Sequence, residues 1–139
     1  MDCSRAAGRA IVVIGDIHGN IDALRPMLER VETLDRPVIF VGDYVNGGTA
    51  SASVLDELSN KRRSHLNDWL FLAGNHDLAL LDYIRGGSFA AFAAIGGLAT
   101  ISSYLDTVRG NVRAAFTSTF PERHRRFLEE LLPCYDNEG

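Results

Sequence analysis

The sequence predicts an α/β fold: a small parallel sheet in β-α-β-α-β-α order, followed by a helical stretch. Three observations carry this expectation. The runs Ala10-Ile11-Val12-Val13-Ile14, Val38-Ile39-Phe40-Val41 and Trp69-Leu70-Phe71-Leu72-Ala73 are continuously apolar, and each ends in glycine followed by polar residues. Apolarity that is continuous rather than alternating predicts parallel strands buried on both faces. The segments between the runs carry apolar residues at helical spacing, and the pattern changes after Gly86.

The elements follow in chain order. After the first strand, Ile21, Leu24, Met27, Leu28 and Val31 share one helical face, with Asn20 as cap. Pro26 lies inside this pattern and is expected to kink the helix or delay its start. After the second strand, Thr49 or Ser51 caps a helix carrying Val54, Leu55 and Leu58. After the third, Leu78, Leu81 and Ile84 mark a helix ended by Gly86. Residues 10–86 are thus the βαβαβα core. Residues 87–133 read as a helical insertion: an Ala- and Phe-rich stretch broken at Gly96-Gly97, a short helix over Asn111 to Thr117, and a last helix after Pro121 with Phe127, Leu128, Leu131 and Leu132 on its face.

Composition narrows the function classes. A chain of 139 residues suits one domain, and 46% apolar with 23% charged residues is ordinary for a folded protein. The 14 Lys+Arg against 18 Asp+Glu give a net charge of −4, which argues against broad attachment to nucleic acid or an anionic membrane. No apolar run approaches the roughly 18 residues of a membrane span, and no secretory pattern is visible. Cys3 and Cys134 are expected to be free thiols in a reducing compartment, so the expected location is cytoplasmic.

The polar clusters at the strand ends are where chemistry is expected. In an open parallel sheet, ligands bind beyond the carboxyl ends of the strands. Gly15-Asp16-Ile17-His18-Gly19, Gly42-Asp43-Tyr44-Val45-Asn46-Gly47-Gly48 and Gly74-Asn75-His76-Asp77 all fall there. Alternation sends Asp16 and His18 to the same side. Hard oxygens from Asp16, Asp43 and Asn75 with imidazole nitrogens from His18 and His76 suit Mn, Fe or Zn better than Ca or Cu(I). A single Gly-Asp after a strand is usually a turn or a cap; three such clusters in register are not. His65 and His124 are read as surface residues, with His124 on an exposed helix face among Arg123, Arg125 and Arg126.

These three motifs resemble the amino-terminal part of a calcineurin-like metallophosphoesterase. Within that superfamily the chain is most similar to the serine/threonine phosphoprotein phosphatase branch and its bacterial relatives, which include diadenosine tetraphosphate hydrolases. The resemblance implies that Asp16 and His18 hold one metal, that Asp43 bridges two, that Asn75 ligates the second, and that His76 is the general acid. It implies two divalent ions (Mn, Fe or Zn), with hydrolysis of phosphate monoesters by a metal-activated hydroxide. The implied substrate is a phosphorylated protein or a small phosphate ester, without nucleic acid or membrane partners.

Three departures from the family pattern matter. Asn46 stands where the branch has the aspartate that orients the acid histidine; its amide oxygen is expected to accept the ring N–H without supplying charge. Gly47 stands where an arginine would clamp phosphate. The chain also stops before the further histidines of the second metal site, so the first site is expected to be complete and the second incomplete. The chain is expected to be truncated and to lack the second half of the family's β-sandwich. One sheet face would then be uncovered, and self-association over that face is expected. The expected function is a metal-dependent phosphoesterase, weak or inactive as this chain. The alternatives are a degenerate pseudophosphatase acting as a binding or regulatory module, or a diadenosine tetraphosphate hydrolase-like enzyme.

Overall fold

The computed structural model describes residues 10–65, 68–107 and 109–135. Cys3 lies outside them; Cys134 is a free, exposed thiol. Three short parallel strands, β1 (Val12–Ile14), β2 (Val38–Phe40) and β3 (Trp69–Phe71), form a sheet in the order β1-β2-β3. Between them run α1 (Ile21–Glu32) and α2 (Ser51–Ser64), and after them α3 (Asn75–Ile84). The βαβαβα order is as the sequence predicts. The stretch that follows carries, among the described residues, the helices α4 (Phe89–Ala94), α5 (Gly97–Tyr104), α6 (Val112–Thr119) and α7 (Glu122–Glu129).

The sheet is covered on one side. Ile14, Val38, Phe40, Trp69 and Phe71 enter one core with Leu24 and Leu28 of α1, Val54, Leu55 and Leu58 of α2, Leu80 and Tyr83 of α3, and Phe127 and Leu128 of α7. Phe40 stacks on Phe71 at 4.6 Å, and Phe127 meets Phe71 edge-on at 5.4 Å. The register aligns Val13, Ile39 and Leu70 on the opposite face. Val13 there is 62% exposed, and Leu70 is half-buried. Burial on both faces holds for β2, where Ile39 is buried, and is corrected for β1, whose edge residue Val13 faces solvent.

Several local expectations also change. The α1 helix runs through Pro26; the Asn20 side chain accepts the Ala23 N–H at 3.0 Å, and buried Leu24, Leu28 and Val31 hold both halves. The N-cap of α2 is Ala50, with no side-chain cap, while Ser51 is helical and buried. Leu132 is not on a helix face. It forms a parallel bridge with Leu72, donating to Phe71 O at 3.0 Å and accepting from Ala73 N at 2.8 Å, so the chain re-enters the sheet beside β3. His65 is half-buried, stacked on Trp69 at 4.2 Å with Glu32 Oε1 3.1 Å away.

His124 is 1% exposed, not a surface residue. With Phe127 and Leu128 it makes an i, i+3, i+4 inner face of α7, and only its arginine neighbours face outward. Its ring bridges Tyr104 Oη and Asp56 Oδ1, each at 2.7 Å, and so ties α5 and α7 to α2. Burial pulls its pKa down, against the opposing pull of Asp56. Among the described residues, no helix is long and apolar enough to cross a membrane.

Candidate metal centre

The loops that leave the three strands are locked together. Ile17 and His18 donate backbone N–H groups to Asp43 O at 3.1 and 2.9 Å, and Gly48 N donates to His18 O at 2.8 Å. His18, Asp43 and Asn46 all have left-handed backbones, with φ of 46°, 55° and 68°. Such conformations are unfavourable for residues with side chains and persist only where surrounding bonds enforce them. Close approach explains the glycines between these loops. A Cβ on Gly74 would collide with the Asp43 backbone and carboxylate, and one on Gly42 would collide with Gly74.

Asp77 fastens this junction. Fully buried in the first turn of α3, its Oδ2 accepts Asp43 N at 2.8 Å and Gly74 N at 2.9 Å, while Oδ1 accepts Tyr44 N at 3.0 Å. Burial pushes its carboxyl up to about 6, against the three N–H bonds that favour the anion. The sequence motif ends on this residue, but its spacing gave no sign that one carboxylate would gather two separate loops.

His18, Asp43 and His76 each offer a ligand atom, and these atoms lie within 4.8 Å of one another. The Asp43 carboxylate is oriented by His76 N, which donates to Oδ1 at 3.0 Å. His18 Nδ1 lies 3.1 Å from Val45 O. A carbonyl only accepts, so the proton sits on Nδ1 and the Nε2 lone pair is free for a cation. That Nε2 is 3.6 Å from Asp16 Oδ2. Asp16 itself is exposed and lies outside the tight group. Asn75 is the exposed first residue of α3.

The His76 ring meets His18 edge-on, centroids 4.7 Å apart. Its Nδ1 lies 3.1 Å from Asn46 Nδ2. Asn46 is fully buried, and its Oδ1 accepts the Thr100 hydroxyl at 2.7 Å. This corrects the expectation that the amide oxygen would accept the ring N–H: the oxygen is committed to α5, and the amide N–H group faces the histidine. Gly47 has φ of 82°, so an arginine there would be strained, although its Cβ would make only an ordinary contact with His18 Cβ at 3.7 Å. Thr100 was not legible as part of the site, because its link to Asn46 joins positions 54 apart with no shared motif.

The donor set fits a divalent cation of the borderline class. A half-buried carboxylate and a lone-pair imidazole converge, a second carboxylate stands beside them, and no lysine or arginine hydrogen-bonds to these groups among the described residues. One such cluster of His, Cys, Asp or Glu occurs among the described residues.

A profile of the calcineurin-like phosphoesterase family matches residues 9–132. No curated protein sequence matches the chain. Among solved structures, one described as "a putative diadenosine tetraphosphatase" is similar at 24% identity and a TM-score of 0.47; the match covers 87% of this chain and 42% of that one.

Proposed function

This chain belongs to the calcineurin-like phosphoesterase family, and from that premise we propose that it is the metal-holding part of a phosphate monoester hydrolase. The observation that carries the reading is the convergence of the His18 and Asp43 ligand atoms with a ring nitrogen of His76, all within 4.8 Å of one another at the strand ends. Asp16, His18 and Asp43 would hold one divalent cation, and Asp43 with Asn75 would be the donors to a second. When bound, such an ion polarises a phosphoryl oxygen and makes water a nucleophile near neutral pH.

The chain's own residues supply orientation and a hydrogen bond. Asp77 and the paired loops hold Asp43 and His18 in backbone conformations that they would not adopt alone. His76, whose Nδ1 faces Asn46, has Nε2 left to donate to the oxygen of the leaving alcohol. The substrate would be a phosphorylated protein or a small phosphate ester. Hydrolysis of an aryl phosphate in the presence of Mn(II) tests the reading. Turnover that falls at least tenfold in His76→Ala supports it, and equal turnover in both proteins overturns it.

The Asn46 geometry supports a second reading, a degenerate catalyst kept for binding. An amide N–H at Nδ1 cannot hold a ring protonated on both nitrogens, so full proton transfer from His76 is handicapped. Tight binding of a phosphate ester without turnover would favour this alternative.

A further inference from the structure

Ser51, Thr100, Asn46 and His76 form one hydrogen-bonded chain. Ser51 Oγ lies 3.1 Å from Thr100 Oγ1, Thr100 Oγ1 lies 2.7 Å from Asn46 Oδ1, and Asn46 Nδ2 lies 3.1 Å from His76 Nδ1. Asn46 also donates its backbone N–H to Thr100 Oγ1 at 3.0 Å. Ser51, Thr100 and Asn46 are fully buried, so water does not compensate a proton pointing the wrong way.

Counting protons fixes the direction of the chain. A threonine hydroxyl has one proton and two lone pairs, and the Asn46 backbone N–H takes one lone pair. If Ser51 donates to the other, the Thr100 proton goes to Asn46 Oδ1, and the amide N–H goes to His76 Nδ1. Both hydroxyl protons then have an acceptor, and one amide proton reaches the histidine. In the opposite sense Asn46 Nδ2 donates to Thr100, Thr100 donates to Ser51, and the Ser51 proton has no acceptor among the described residues. A buried polar group left unmade costs more than a made bond gains, so the first direction wins.

We propose that the Ser51–Thr100 hydroxyl pair is a positioning device that aims the Asn46 amide N–H at His76 and so holds that ring with its proton on Nε2. Thr100 touches neither cation nor substrate; it acts through Asn46. Its turn of α5 is itself pinned, because Ser103 Oγ donates to Thr100 O at 2.7 Å and accepts Ala52 N at 3.1 Å. The helical insertion thereby sets the protonation pattern at the strand ends, opposite to that of His18. The inference rests on reading His76 as the hydrogen-bond donor of the site.

Long-range 1H–15N correlation spectra of the metal-free, substrate-free protein test it, about two pH units above the usual histidine value of ~6.5. The expected wild-type spectrum has His76 protonated at Nε2 and His18 at Nδ1. Thr100→Val should move His76 to a mixture of forms or to Nδ1–H and leave His18 unchanged, while Thr100→Ser should keep the wild-type pattern. A His76 ring protonated at Nδ1 in the wild type overturns the proposal by itself, even if Thr100→Val fails to fold. A Thr100→Val spectrum identical to wild type also overturns it. Because neither metal nor ester is present, the outcome is independent of whether the protein hydrolyses phosphate.

Discussion

Replacing Asn46 by aspartate changes one atom pair and reverses one hydrogen bond. In the native chain the Asn46 amide N–H faces His76 Nδ1 at 3.1 Å while Oδ1 takes the Thr100 hydroxyl at 2.7 Å. A carboxylate in the same rotamer keeps the Thr100 bond with one oxygen and offers the other to a proton on Nδ1. The backbone tolerates the change, because φ is 68° and aspartate, like asparagine, visits that region. A charge-assisted hydrogen bond contributes roughly 1.5–3 kcal/mol. With about 1.4 kcal/mol for each factor of ten, Asn46→Asp should raise kcat for an aryl phosphate about 10- to 150-fold at unchanged metal stoichiometry. In the metal-free protein it should move the His76 proton to Nδ1, which the same nitrogen spectra read. A variant that folds and binds metal as the native chain does, yet shows neither the rate gain nor the moved proton, would refute the reasoning.

Two further outcomes follow from the loop junction and the insertion. Asp77→Asn replaces one acceptor oxygen by a donor in a buried clasp of three backbone N–H groups. It should destabilise the fold by about 1–3 kcal/mol and weaken cation binding, measured by denaturant unfolding and by titration with Mn(II). His124→Ala empties a buried site and strands Tyr104 Oη, costing about 2–4 kcal/mol, whereas Tyr104→Phe should cost only about 1 kcal/mol. The pH dependence has a definite sign. Burial lowers the His124 pKa in the fold, so below the usual ~6.5 the unfolded chain binds more protons. Its contribution is full above that value and is lost as pH falls; thermal unfolding of His124→Gln should show a weaker loss between about pH 6.5 and 5 than the native chain.

The strands, their order with the first three helices and the Asn20 cap were legible because glycine stops and helical spacing are local signals. The placement of three polar clusters beyond the strand ends followed from the same pattern. What stayed hidden is non-local. Thr100 reaches Asn46 from α5 across 54 positions, and no local pattern shows that the two side chains meet. His124 carries the i, i+3, i+4 signature with Phe127 and Leu128, but its arginine neighbours disguise it as surface. Leu132 looked like the end of an amphipathic helix because an apolar pair after one is ambiguous, and pairing with Leu72 decides it. The orientation of the Asn46 amide depends on hydroxyl protons from two other helices, which no reading of its own motif could supply.

The direct test of the metal centre is calorimetric titration of the metal-free protein with Mn(II) or Zn(II), compared with His18→Ala and Asp43→Asn. Saturable binding by the native chain, weakened at least tenfold in each variant while the fold persists, is the predicted result. Binding that is absent, or that survives both substitutions unchanged, would contradict the assignment of the strand-end residues as a cation site.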